Sequence, residues 1–377
     1  MKLDQQFREF LTEIRLTASQ REDYMNGIRV LRARLAVDVD LSPVIVSTFL
    51  QGSIRRATAV RPSNGKRADA DLVVVTNLDK DEVTAREVLQ RFERFAQRWY
   101  PGKWEPQGRS IGITLSHVEM DIVPTALPGD EETVNRFKWD SVTTAESIEE
   151  APDWRLNKAW LPEEKRDPLL SKSLEALAAV QDEWKANPIW IPDREANKWE
   201  KTHPLAQIAW TVDKNRRCNK HYVNVVKTVK WMRQNDDKMP KYPKGYTVEH
   251  LVGVSCPDGI TSVAEGLTLT LEHIVSEYAW HAERGITPRL PDHGVPEHDV
   301  MARVDGEDFS AFHGRITTMA RAARRALDSQ DAQESAELWR ELLGSKFPKP
   351  PTNGGDRSGF TPRATVSATA GPAPRFA

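Results

Sequence analysis

The chain has 377 residues, with 53 Lys and Arg against 55 Asp and Glu and a formal net charge of −2. That length holds one large or two moderate domains, and the even charge balance excludes tight, sequence-blind binding to duplex DNA. No run of about eighteen apolar residues exists to span a membrane, the opening MKLDQQF lacks the apolar core of a signal peptide, and two cysteines, Cys218 and Cys256, make no disulfide framework, so a cytoplasmic chain is expected.

Residues 3 to 36 read as helical. Phe7, Phe10, Leu11 and Ile14 recur at helical spacing, followed by Tyr24, Ile28, Leu31 and Leu35 in a second helix that Thr17 or Ser19 could cap. Pro43 breaks the pattern before an apolar run from Val44 to Leu50. A polar loop over 62–67 precedes the β-branched run Leu72–Val75, a buried strand by composition. Residues 81–99 predict a helix with Val88, Leu89, Phe92, Phe95 and Ala96 on one stripe, stopped by Pro101-Gly102. Ser110–Leu115 and His117–Val123 then predict a hairpin, giving a mixed sheet with helices on one side.

Residues 125–200 are rich in Trp and Pro. Trp139, Trp154, Trp160, Trp184, Trp190 and Trp199 read as pins that hold irregular loops to the core. A helix is expected over 169–185 and a short connector over 189–193. Helices follow from Pro204, over 221–235, from Tyr246 with Thr247 as a cap, over 263–282 and over 311–343. Cys218, His221, His250 and Cys256 are too loosely spaced for a standard zinc finger and read as buried cysteines and ordinary histidines. From Lys346 onward, Pro, Gly, Ser, Thr and Ala dominate, a composition that buries too little surface to fold, so 346–377 is expected to be a flexible tail.

The chemistry gathers between Phe49 and Asp121. Asp69 and Asp71 sit at i and i+2 at the start of a strand, so both carboxylates share a face. Asp121 lies in a second apolar run, Val118–Val123, and would join them if the strands are neighbours. Three such groups close together repel one another and raise one another's pKa, and a divalent cation relieves that. Magnesium takes one or two protein carboxylates plus phosphate oxygens, and two ions roughly 3.5–4 Å apart can stabilise the attacking and leaving oxygens of an in-line displacement. Gly52 and Ser53, after the first apolar run, form a turn that lets backbone amides approach a phosphate. A Gly-Ser pair alone marks any turn; joined to the three Asp it points to a template-independent nucleotidyltransferase.

With these motifs the segment 48–124 resembles the catalytic core of the DNA polymerase β-like nucleotidyltransferases. More narrowly, Gln-Gly-Ser at 51–53, Ala-Thr-Ala-Val-Arg-Pro at 57–62 and Ala-Asp-Ala-Asp at 68–71 resemble the cGAS/DncV-like nucleotidyltransferases, the bacterial CD-NTases of CBASS anti-phage signalling. Ile-Trp-Ile-Pro-Asp-Arg at 189–194 and Lys-Thr-His-Pro at 201–204 resemble the clade D branch.

The resemblance implies an α/β (α+β) fold: a polymerase β-like core with a mixed sheet over 1–200, N-terminal spine helices included, packed against a C-terminal helical lobe over 201–345. It implies ATP, and in some members other nucleoside triphosphates, as substrates, two Mg2+ per site held by Asp69, Asp71 and Asp121, and a cyclic di- or trinucleotide as product. Gln51, Gly52 and Ser53 would contact nucleotide. Lys227 and Lys230, three apart on one helix, match two basic positions that face the donor triphosphate, and Glu249 resembles a recurring family position with a structural role. In part of the family a ubiquitin-transfer-like (E1/E2-like) partner joins the C-terminal carboxylate, here that of Ala377, to target proteins. Two other readings stand beside this one: another polymerase β-like transferase acting on RNA, protein or a small molecule, and a nucleotide-sensing pseudoenzyme.

Overall fold

A computed structural model describes residues 1–62, 65–126, 141–142, 157–158 and 188–349. The expected helix over 169–185, Trp139, Trp154, Trp160, Trp184, most of the expected tail and Ala377 lie outside the described residues.

The apolar stripe near the start forms two helices, α1 (Asp4–Ile14) and α2 (Ala18–Val37). Thr17, not Ser19, caps α2: its hydroxyl accepts from the Gln20 amide at 3.1 Å while the Gln20 side chain accepts from the Thr17 amide at 3.0 Å. Strand β1 (Ile45–Gln51) runs into a single helical turn, α3 (Gly52–Arg55), and β2 (Ala68–Thr76) follows. Helix α4 (Ala85–Trp99) starts four residues later than its apolar stripe suggests. Thr84 and Glu87 close a reciprocal cap there, satisfying two amides that would otherwise lack partners. Strands β3 (Trp104–Pro106), β4 (Ile111–Thr114) and β5 (Val118–Pro124) complete a five-stranded sheet in the order β1-β2-β5-β4-β3. It is mixed: β2 and β5 run parallel, and the other neighbours are antiparallel.

Alternation sorts the two faces of this sheet. Ala70, Leu72 and Val74 of β2, with Met120 and Ile122 of β5, share a core with α2 and α4. Val73, Val75 and Val123 point the other way, into a smaller core with Ile189, Ile191, Leu205 and Ile208. Beyond a two-residue parallel pair, β6 (Ser141–Val142) and β7 (Asn157–Lys158), the expected connector over 189–193 is a strand, β8 (Ile189–Asp193), paired antiparallel with β9 (Lys198–Thr202). Its alternation was masked by Pro192. Trp199 donates its indole N–H to the Val83 carbonyl at 2.9 Å, and the ammonium groups of Lys80 and Lys201 lie 5.1 and 5.5 Å from the Trp190 ring centre.

Among the described residues the remaining helices are α5 (Pro204–Arg217), α6 (Tyr222–Asn235), α7 (Tyr246–Ser255), α8 (Val263–Glu277), α9 (Ala279–Glu283), α10 (Gly306–Asp328) and α11 (Ala332–Leu343). The single helices expected over 263–282 and 311–343 are each divided, at Tyr278 and at Ser329–Asp331. Thr247 does not cap α7. Gly245 occupies that position, and the Thr247 hydroxyl donates to the Val300 carbonyl at 3.0 Å. A third core joins α6, α7, α8, α10 and α11, and Phe7, Phe10, Leu11 and Ile14 of α1 belong to it rather than to the sheet. Cys218 and Cys256 are buried in this core, and His250 stacks on His293 with ring centres 3.9 Å apart. Among the described residues no helix is long and apolar enough to cross a membrane.

Candidate active site

The face of β2 that carries Val73 and Val75 is covered only over its C-terminal half. At its N-terminal half the same alternation presents Asp69 and Asp71. Parallel pairing sets Asp71 directly beside Asp121 and Asp69 beside Glu119, and in-register neighbours point to the same side. Asp69, Asp71 and Asp121 therefore stand together on the side of the sheet away from α2 and α4. Gly112 of β4 lies opposite Asp121 in register, and a Cβ there would press on the Gln107 side chain that hydrogen-bonds Asp121.

The turn after β1 closes over Asp71. Gln51 pairs with Asp71 across the strands, and Gly52 takes a φ of +72°. A Cβ at Gly52 would overlap the Asp71 carboxylate, so only glycine brings the backbone this close. Ser53, next in the turn, keeps its carbonyl occupied by the amides of Thr58 and Ala59. Gln51, Gly52, Ser53, Asp69 and Asp71 all line one cavity of about 890 Å³. Asp121 stands one strand further in, beside Asp71 and outside that lining.

Burial raises all three carboxylic acids, and neighbouring carboxylates add to it. Asp69 keeps access to solvent, yet loss of hydration on its protein side, followed by repulsion from Asp71, Asp121 and Glu119, pushes it up to about 7. Burial, then the charge of Asp71, pushes Asp121 up to about 6 against the hydrogen bonds of Ser110 and Gln107. Burial raises Asp71 as well, with Arg56 and Lys230 working against it and the Glu249 charge adding to it. Among the described residues no three His, Cys, Asp or Glu side chains form a ready-made metal cage. Charged carboxylates without a counterion have reason to hold apart. Magnesium, which takes most of its oxygens from substrate and water, does not need them preassembled. The donor set, all hard oxygen and short of compensating charge, fits such an ion.

The opposite wall comes from the helical half. Lys230 of α6 and Glu249 of α7 line the cavity, and so does a long segment between α9 and α10, including Asp292, Asp299 and Arg303. Lys230 donates to Glu249 at 2.8 Å, and the Arg56 Nε donates to the other Glu249 oxygen at 3.0 Å. Arg56 also lies over the Tyr246 ring, 4.9 Å from its centre. Burial works to raise the Glu249 acid, and Arg56 and Lys230 more than offset it, holding it at about 2. Lys227 does not share the position of Lys230: it is 3% exposed and absent from the cavity lining. Three residues along an α-helix leave an angular offset of about 60°. Because α6 is wrapped on nearly every side, that offset carries Lys227 beneath its neighbours. Arg56 is a cavity residue that sequence reasoning missed, as are Asp292, Asp299 and Arg303. The signal for Arg56 was faint: a second arginine directly after Gly-Ser-Ile, where one cation would be exposed on any ordinary turn.

Comparison with known proteins bears on this arrangement. A model of the Second Messenger Oligonucleotide or Dinucleotide Synthetase domain matches residues 1–150. The chain is 51% identical to a probable cyclic AMP-AMP-GMP nucleotide synthase of Salmonella paratyphi B, with 100% of both chains covered. It is 52% identical to the cyclic AMP-AMP-GMP synthase of Enterobacter hormaechei subsp. hoffmannii over 95% of each. Among solved structures it is similar in fold to the Bradyrhizobium diazoefficiens CD-NTase CdnG in complex with GTP, with a TM-score of 0.62 and 13% identity over 90% of this chain and 94% of that one. E. coli CdnC with ATP is a further neighbour, with a TM-score of 0.58 and 15% identity over 92% of this chain and 100% of that one.

Proposed function

The chain belongs to the cGAS/DncV-like nucleotidyltransferases, and from that premise we propose that it joins ATP and GTP into cyclic AMP-AMP-GMP, a second messenger of anti-phage defence. The base choice is carried by the two relatives more than 50% identical over nearly all of their length. The observation that carries the chemistry is the in-register pairing of Asp71 with Asp121, with Asp69 two residues away on the same face.

Asp69, Asp71 and Asp121 would hold magnesium, which when bound supplies the positive charge that stabilises an in-line displacement at phosphorus. Asp121, beside Asp71 in register, would help take the proton of the attacking ribose hydroxyl. That oxygen bonds to the donor's α-phosphorus as the bond to pyrophosphate breaks. Gly52 and Ser53 present their turn to the donor phosphates, Gln51 flanks it, and Lys230 offsets triphosphate charge from the far wall. Two further rounds in the same cavity, the last between the ends of one linear product, close the ring.

The same proposal divides the chain into a catalytic core over 1–200, a helical lobe over 201–345 and a tail over 346–377. The separate hydrophobic cores of the sheet with α2 and α4 and of α6, α7, α8, α10 and α11 support the first boundary, which α1 crosses to pack in the helical core. It also takes in an E1/E2-like partner acting on the carboxylate of Ala377, on the strength of the family resemblance and the tail's composition.

Radiolabelled ATP and GTP with Mg2+, followed by phosphatase digestion and mass spectrometry, test the reaction, because a cyclic product survives phosphatase. Asp69→Asn together with Asp71→Asn is expected to lower the yield at least ~10³-fold with the fold intact. An unchanged yield refutes the assignment. A product that phosphatase destroys would favour a transferase that adds nucleotides to another acceptor.

A further inference from the structure

Arg56 poses a problem for the carboxylate beside it. The Asp71 carboxylate stands against Gly52, and Arg56 ends the same turn, its amide donating to the Gly52 carbonyl at 3.1 Å. Both side chains face one cavity. A guanidinium on the same turn as a half-buried carboxylate can form a strong forked pair with it if nothing else claims it. Such a pair would occupy the oxygens that a metal ion needs.

Something else does claim it. Glu249 is 193 residues away in sequence and approaches from α7 on the far side. One of its oxygens takes the Arg56 Nε at 3.0 Å and the other takes the Lys230 ammonium at 2.8 Å. The side chains of Arg56 and Glu249 are 8% and 5% exposed, so water screens the pair little. The Tyr246 ring under the guanidinium holds it in the same place.

We propose that Glu249 is a positioning residue for the metal-binding face: it holds Arg56 and Lys230 against the helical wall and so leaves the Asp71 carboxylate open to a divalent cation. The inference rests on the reading of Asp69, Asp71 and Asp121 as metal ligands. Without the Glu249 charge, Arg56 turns to Asp71, the carboxylate that stands against its own turn, and competes with the ion for it.

Mn2+ binding to the full chain without nucleotide, read from the electron paramagnetic resonance of free Mn2+, tests this apart from turnover. Wild type and the Asp69→Asn/Asp71→Asn variant are compared first. Equal binding by the two sinks the metal reading and this inference with it. Given a difference there, Glu249→Gln is expected to weaken Mn2+ binding at least fivefold at unchanged circular dichroism. Adding Arg56→Gln to it is expected to bring binding back within fivefold of wild type, a recovery that a merely structural role for Glu249 would not produce. A loss below fivefold in the single variant, or no recovery in the double, overturns the proposal. Removing one partner of a buried pair can prevent folding. Should Glu249→Gln not fold, Arg56→Gln alone decides: Mn2+ then binds at least as tightly as in wild type, and weaker binding overturns the proposal.

Discussion

Asp69 and Asp121 ionise at about 7 and about 6 where an isolated aspartic acid ionises at 3.8. The folded protein without metal therefore binds more protons than the unfolded chain between roughly pH 4 and 7. The stability tied to these groups is fully present below that window and is lost as pH rises through it. In EDTA, the Asp69→Asn/Asp121→Asn variant should melt above wild type at pH 8, on the order of a few degrees, with the gap narrowing as pH falls towards 4. Differential scanning calorimetry at a series of pH values checks this, and a gap independent of pH would contradict the electrostatic account. Metal reverses the balance, because an incoming cation displaces those protons and its affinity weakens as pH drops through 7 and 6.

Helix α1 lies first in the sequence yet packs among the last helices. Phe7 is 2% exposed and meets Trp339 and Phe347 edge-on, with ring centres 5.0 and 5.2 Å apart. Phe7→Ala removes a whole ring from a close-packed core, so a loss of about 3–5 kcal/mol in urea unfolding is expected. The carboxylates of β2 and β5 belong to a different core, so divalent-ion binding by the folded variant should match wild type. A Phe7→Ala protein as stable as wild type would show that α1 is not part of the helical core. At the same scale, the i, i+2 spacing of Asp69 and Asp71 was legible because a strand's alternation is strict. The i, i+3 spacing of Lys227 and Lys230 was not, because a helix face is broad and its neighbours decide which part of it meets the cavity.

The cavity belongs to the whole molecule. One wall is the turn at Gly52 with the start of β2 at Asp71, and the other is α6, α7 and the segment 292–304 from the helical half of the chain. A nucleotide with Mg2+ bound there should slow amide hydrogen exchange on both walls at once, over 51–56 and over 292–304. Protection confined to one wall would place the nucleotide elsewhere.

Sequence alone settled what depends on neighbours along the chain: the apolar alternation of β2 and β5, the three acids set into it, and the glycine turn before them. These are local because a strand's period and a glycine's freedom are properties of a few consecutive residues. The tertiary structure alone decided that β2 and β5 lie side by side in register, that Arg56 meets Glu249 across 193 residues, and that Lys230 rather than Lys227 reaches the cavity. Each of those is a contact between separately formed surfaces, set by how the sheet and the helical core fit together rather than by any short pattern in the chain.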